Sequence, residues 1–413
     1  MGKLNTEKDG KARYLYENIE ELVRMKIQSF MQEILDEEVE AFVGRCRYER
    51  KQSIDNGKGY YNGYGKPRKI SMKTGTVEVR RPRLRNLEER FESRILPLFK
   101  RRTNEISDHL PELYLHGLAL GDFELALRGL LGDGAPLSPT SIQRLKVKWE
   151  EEYHEWQNTD LNGLELCYMW ADGIYVKAGL EKDKSALLVI IGAMKDGNKK
   201  ILAVKSGYRE SKESWASVLR SLKERGLRSP RLTIADGNLG LWSALSEVYP
   251  DSEEQRCWNH KIINVLDRLP KRVLVKAKEH LKKIPYAQSR AECEKLKARF
   301  MSLFGNAYPE ARQILENDWE RMVTFYNFPK EHWSHIRTTN VIESPFATVR
   351  LRTNAAKRYK KVSNATVLIY KVLMIAEKRF NKLKAANLMV DVLNGIRYND
   401  GKKELLGESK NAA

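Results

Sequence analysis

Cysteine is scarce in this chain. Four residues, Cys46, Cys167, Cys257 and Cys293, are spread at wide intervals over 413 positions. That spacing excludes a disulfide framework, and without a C-x-x-C pair a structural zinc site would have to draw four ligands from distant places. Long apolar runs are missing too: no stretch reaches about 18 residues, and the opening MGKLNTEKDGKARYLYENIEEL has no signal-peptide core. The expectation is a soluble, cytoplasmic protein with reduced thiols and no membrane partner. Acid is the third shortage, with 55 Asp+Glu against 74 Lys+Arg, a net charge of +19. Such an excess of base calls for a polyanionic partner, nucleic acid before an anionic membrane surface. Histidine is sparse, and none of the seven has arginine three residues on; His280 has Lys283 there. The H-x-x-R element of a tyrosine recombinase is therefore absent.

The chain exceeds the roughly 250–300 residues at which single cores stop growing, so two or more domains are expected. Its positive charge is concentrated. Residues 45–102 hold 18 Lys+Arg and 6 Asp+Glu, residues 337–384 hold 12 and 2, and the remainder nets −3. Two basic blocks flanking a nearly neutral middle suit surfaces that grip a phosphate backbone around a central site, or else are two solvated faces.

Between Glu17 and Val43, apolar residues recur every three or four positions, predicting an amphipathic helix whose face buries in its own domain or against a second subunit. The run GKGYYNGYGKPRKI (57–70) interleaves glycine, tyrosine and base. A strand pair about Lys73-Thr74-Gly75 and then VEVRRPRLR (77–85) follow, with Arg80, Arg81 and Arg83 as candidate phosphate contacts. The tyrosines either stack on DNA or pack on their own hairpin. Residues 108–157 read as helices broken by a turn at Gly132-Asp133-Gly134, the second opening at Ser138-Pro139. The pair is a possible helix-turn-helix with Arg144 and Lys148 toward DNA.

The middle changes to strand patterns, LELCYMWADGIYVKAGL (164–180), SALLVIIGAM (185–194) and ILAVKSG (201–207). A helix, the strand RLTIADGN (231–238), a helix, the short strand EEQRCW (253–258) and another helix come next. The order is β-β-β-α-β-α-β-α, an α/β fold. Residues 271–335 are lysine-rich and helical in pattern, a last core helix is expected at about 340–352, and the tail DGKKELLGESKNAA is expected to be disordered.

Asp172 and Asp236 each end an apolar strand and precede glycine, while Glu343 stands at the start of a late helix. Carboxylates at neighbouring strand ends repel unless a cation joins them, and oxygen ligands suit Mg²⁺ or Mn²⁺. Two such ions would activate an attacking oxygen and stabilise a leaving one in phosphodiester chemistry, with no protein nucleophile required. Taken singly, each acid also suits a turn or a helix N-terminus.

In these residues the chain resembles the bacterial insertion-sequence transposases of the Mutator type, the IS256-like DDE family. The resemblance rests on the strand-Asp-Gly around Asp172, IADG (234–237), QRCWNHK (255–261), TTNVIES (338–344) and Arg350-Leu351-Arg352-Thr353, in this order along nearly the whole chain. It implies a ribonuclease H-like catalytic core, a mixed sheet with helices in 161–270 and 336–390, carrying an all-helical insertion at 271–335. Before the core it implies N-terminal helical and β DNA-binding regions at 1–105 and 106–160, and after it a tail at 391–413. It also implies Asp172, Asp236 and Glu343 as ligands of two Mg²⁺ or Mn²⁺ ions. Binding of terminal inverted repeats and target DNA, strand cleavage and transfer, and a homodimer or larger assembly follow in the same way. His260, in the C-x-x-H element Cys257–His260, would contact the scissile phosphate or cap its helix. Trp258, Arg350 and Arg352 become candidate DNA contacts. Pro345 leaves two helix starts open, Ser344 with Glu343 just outside, or Asn340 with Glu343 as capping partner. A non-catalytic, transposase-derived DNA-binding protein is the rival reading.

Overall fold

The computed structural model describes residues 18–49, 59–87, 91–97, 100–118, 127, 131, 139–178, 185–207, 209–356 and 358–404. The chain divides into two compact units, Met1–Leu145 and Lys146–Ala413.

In the first unit, helix α1 (Ile19–Val43) ends on Gly44, whose left-handed backbone returns its N–H to the Glu40 carbonyl. The ribbon strands are β1 (Tyr60–Tyr64), β2 (Arg68–Met72), β3 (Gly75–Val79) and β4 (Pro82–Arg85), with β2–β3 and β1–β4 as separate antiparallel pairs. Alternation puts Ile70, Val77 and Val79 on one face, where they close a small core with Leu35 and Leu96. Helix α2 (Asn104–Leu115) follows. The Gly132–Gly134 turn of the expected helix-turn-helix lies outside the described residues, while α3 (Pro139–Gln157) begins at the anticipated proline.

The second unit is built on five strands: β5 (Leu166–Val176), β6 (Ser185–Met194), β7 (Lys199–Gly207), β8 (Leu232–Ala235) and β9 (Glu253–Arg256). Their spatial order is β7-β6-β5-β8-β9, with β5, β6 and β7 antiparallel in sequence and β8 and β9 parallel to β5. Helices α4 (Lys212–Glu224) and α5 (Leu239–Val248) cover one face, Trp215, Leu219, Leu222, Leu241 and Leu245 packing on Met169, Ala171, Leu188 and Ile190. The alternate residues Tyr168 and Trp170 are equally buried on the other face, bonded to the His332 ring and the His335 carbonyl. Burial on both faces explains why the strands read as near-continuous apolar runs.

After α6 (Trp258–Leu266) the described elements to Ile336 are all helical, including α7 (Lys271–Lys283), α8 (Arg290–Phe300), α9 (Pro309–Glu316) and α10 (Trp319–Val323). The chain returns to the sheet through α12 (Asn340–Ala356), preceded by the short α11 (Trp333–Ile336) and followed by α13 (Val362–Glu377). The tail departs from expectation. Tyr398–Asn399 and Lys402–Lys403 pair in a hairpin whose Gly401 exchanges hydrogen bonds with Tyr326 and Lys330, so order runs to residue 404. Among the described residues no helix is long and apolar enough to cross a membrane.

Candidate active site

Strand β8 stops where its pairing with β5 reaches Ala171↔Ala235, so Asp172 and Asp236 are the next residues on two neighbouring parallel strands. Strands in a sheet lie about 4.8 Å apart, which brings the two acids side by side. Asp172 does not end its strand, as its Asp-Gly pair suggested. It pairs with Val189, and β5 runs on to Val176, because β6 supplies a partner on the other edge. Burial, and then the neighbouring Asp236, push the Asp172 carboxyl up to about 7, with Glu210 adding to the rise and the Gly173 N–H opposing it.

The third acid arrives on α12. That helix starts at Asn340, settling the choice of start and placing Glu343 inside the first turn, with Pro345 buried within the helix. Glu343 does not bond the Thr339 backbone N–H, which goes to Cys257 Sγ at 3.3 Å; it accepts from the Thr339 hydroxyl instead.

One feature is common to all three carboxylates. Gly173 N–H donates to Asp172 Oδ1 at 2.7 Å, Asn238 N–H to Asp236 Oδ1 at 3.0 Å, and the Thr339 hydroxyl to Glu343 Oε1. The second oxygen of each has no hydrogen bond among the described residues. Each acid is oriented by one oxygen and offers the other, which is how a hard-cation ligand is prepared. Such oxygens suit a divalent ion of the Mg²⁺ or Mn²⁺ kind, but among the described residues the three acids do not form a group with ligand atoms all within 4.8 Å of one another.

His260 Nδ1 lies 3.7 Å from Glu343 Oε1 and 3.4 Å from Thr339 Oγ1. Its hydrogen bond with Cys257, and then the charges of the Cys257 sulfur, Glu343 and Asp236, raise the imidazole to about 9 against the opposing effect of burial. The helix cap falls at Cys257, with no side-chain cap bond. Cys257, His260 and Glu343 also bring ligand atoms within 4.8 Å of one another. Cys257 Sγ already accepts from the Thr339 N–H, however, so it serves better as an anchor than as a metal ligand.

The whole QRCWNHK run acts as a fastening. Gln255 bonds the Met322 carbonyl and the Phe325 N–H, Arg256 pairs with Asp318 at 2.6 Å, and Lys261 Nζ reaches the Asn317 carbonyl at 2.5 Å. Cys257 holds Thr339, and Asn259 bonds Asn340 at 2.9 Å. Trp258 belongs to this set, which corrects its assignment to DNA. Its side chain is completely buried, donates to the Met322 carbonyl at 2.7 Å and packs edge-on against Trp319.

Arg352 is corrected likewise. It is 3% exposed and continues the buried stripe Ile342, Phe346, Val349 on α12, turned away from the exposed Arg350. In the first unit Arg80 and Arg83 are exposed, but the Arg81 guanidinium donates to the Phe91 carbonyl at 2.6 Å and lies over its ring. Tyr61 and Tyr64 bond Arg45 and Asp36, packing within their own unit. On α3, Arg144 is exposed and Lys148 stands 3.8 Å from Glu152.

Sequence patterns missed Glu210, Asn238 and Tyr175. Asn238 caps α5 with Oδ1 at 2.8 Å from the Gly240 N–H and donates through Nδ2 to Glu210 Oε2 at 3.0 Å. An asparagine two residues after a strand-ending Asp-Gly was the available signal for that cap; Glu210, in a mixed-charge loop, gave none.

Two inner strands of the mixed sheet, β5 and the end of β8, and the start of α12 thus carry half-buried carboxylates, with a histidine beside Glu343. Comparison with known proteins gives the family. Residues 2–382 match the model described as Transposase, Mutator family. The chain is 42% identical over 297 residues to the transposase for insertion sequence element IS6120 of Mycolicibacterium smegmatis, covering 72% of this chain and 92% of that protein. It is 42% identical over 278 residues to the transposase for element IST2 of Acidithiobacillus ferrooxidans, covering 67% and 94%. To the transposase for IS256 in transposon Tn4001 of Staphylococcus aureus it is 25% identical over 346 residues, covering 83% and 86%. The chain belongs to the Mutator family of transposases.

Proposed function

We propose that this chain is a transposase that binds the terminal inverted repeats of its own insertion sequence and catalyses DNA strand cleavage and strand transfer. Asp172, Asp236 and Glu343 are the residues that would hold two Mg²⁺ or Mn²⁺ ions. The observation that carries this reading is the shared posture of the three acids, each steadied through one oxygen with the other left open. When bound, such ions supply Lewis-acid stabilisation of the attacking and leaving oxygens of a phosphodiester.

The remaining roles belong to the chain itself. His260 lies beside Glu343 and would meet a non-bridging phosphate oxygen. Arg350, seven residues after Glu343 and exposed, would meet the backbone next to the cleaved bond. Arg80, Arg83, Arg144 and Lys148 are exposed and would make duplex contacts. The strand order, with three antiparallel strands followed by two parallel ones and a helical excursion before the Glu343 helix, supports a ribonuclease H-like core interrupted at 271–335. A transposase joins two element ends, so a homodimer or larger assembly belongs to the proposal, as does action on DNA in the cytoplasm.

The test is cleavage and joining of labelled DNA carrying the element's ends, with Mg²⁺ or Mn²⁺, for wild type and Asp236→Asn. Loss of several kcal/mol of charge stabilisation predicts a fall of about a thousandfold in product, with DNA affinity retained. A variant that cuts like wild type would refute the assignment of Asp236. A wild type that binds the ends but never cuts them under any divalent ion would favour a non-catalytic DNA-binding protein.

A further inference from the structure

We propose that Glu210 is a fourth carboxylate of the metal site, an inference that rests on the reading of Asp172, Asp236 and Glu343 just given. Glu210 sits between the end of β7 at Gly207 and the start of α4 at Lys212, next to the Ser211 cap. Its position is built from three directions. Its side chain crosses Gly173, the residue after Asp172, so closely that a Cβ there would fall 2.2 Å from Glu210 Oε1. Its main-chain carbonyl lies 2.8 Å from where a Cβ on Gly240 would be. Its Oε2 accepts from Asn238 Nδ2 at 3.0 Å, and the same Asn238 steadies Asp236 through its backbone N–H. Tyr175 stands next to it.

Gly173 thus leaves room for the Glu210 carboxylate, Gly240 for the loop backbone that carries it, and the residue that orients Asp236 orients Glu210 as well. A purely structural filler would not need the charge. Glutamine has the same shape and offers the same carbonyl to Asn238, without adding repulsion toward Asp172 and Asp236. A further negative charge held next to Gly173 and Asn238, close by Asp172 and Asp236, costs stability in the metal-free protein through like-charge repulsion. That cost is offset when divalent ions arrive, because three carboxylates leave a pair of them one negative charge short and a fourth closes the difference.

The experiment is Mn²⁺ binding to the full chain, followed by the paramagnetic resonance of free Mn²⁺, for wild type, Glu210→Gln, Glu210→Asp and Asp236→Asn. The melting temperature of each metal-free protein is recorded alongside. Glu210→Gln is expected to weaken Mn²⁺ by about tenfold. Its metal-free melting temperature should be unchanged or raised, and Glu210→Asp should hold the ion better than Glu210→Gln. Wild-type affinity in Glu210→Gln, with binding lost in Asp236→Asn, overturns the role of Glu210 and leaves the three-acid reading standing. Wild-type affinity in Asp236→Asn sinks that reading and this proposal together. Should Glu210→Gln fail to fold, Tyr175→Phe removes a polar neighbour of Glu210 at an exposed ring. A few-fold loss of Mn²⁺ affinity supports the proposal, and none overturns it.

Discussion

The two-stranded ribbons of the first unit and the strand ends of the second use charge in opposite ways. On the ribbons Ile70, Val77 and Val79 turn inward, while Arg80, just after β3, and Arg83, on β4, stand in water. Around β5 and β8 the strands are apolar on both faces, and the acids come only where pairing of β8 ceases. Charge on the ribbons is a sum over interchangeable sites, whereas at the strand ends it is a matter of position. Removing one arginine from the first should subtract a share; removing one group from the second should remove the function.

The difference can be broken at Trp258, which looks like a surface recognition residue in sequence and is core in the fold. Trp258→Ala should cost about 3–5 kcal/mol in urea unfolding, with loss of activity following loss of the folded state. If stability is untouched and only DNA affinity falls, the burial described for this residue is wrong. A second comparison concerns pH. Asp172 is raised to about 7 in the fold. Its contribution to the stability of the metal-free protein is present below its ordinary pKa and lost as pH rises through about 7, where a second charge appears beside Asp236. Divalent ions relieve that repulsion and compete with the proton. The rise in melting temperature on adding Mg²⁺ should therefore be larger at pH 8 than at pH 6; equal rises at both would remove Asp172 from the ion's surroundings. The smallest effect is expected on the ribbon. Arg83→Ala should leave stability within about 0.5 kcal/mol and lower the slope of log affinity against log salt by about one. An unchanged slope would take Arg83 off the DNA.

Much of the second unit was legible beforehand because its strands are fully buried, and buried strands write themselves as apolar runs. The order of elements from β5 to α6 follows the sequence pattern closely. What could not be read was anything set by a partner remote in sequence. Asp172-Gly173 resembles a turn, and only the presence of β6 on its free edge keeps it in a strand. Trp258 and Arg352 carry the chemistry of DNA contacts, but segments about sixty residues downstream for the one, and a helical stripe for the other, take them inside. Of the candidate site, the acids showed because charge is conspicuous at the end of an apolar strand. Glu210 did not, lying among Arg209, Ser211 and Lys212 in a loop whose composition is that of any surface.

The fastening by residues 255–261 bears on how such a protein changes over time. Its bonds go to two places, the Asn317–Phe325 segment and the Thr339–Glu343 turn, while the chain between Asp267 and Glu316 leaves from one side of the fastening and returns to the other. The gap that any intervening stretch must bridge is thus set by the clasp and not by the stretch. Lengthening a connection whose ends are already held together adds only slowly to its closing entropy, about 0.6 kcal/mol per doubling. Helices could accordingly be gained, lost or exchanged in that interval, as freight between two fixed couplings, while Thr339 and Glu343 stay fastened to the Cys257–His260 segment.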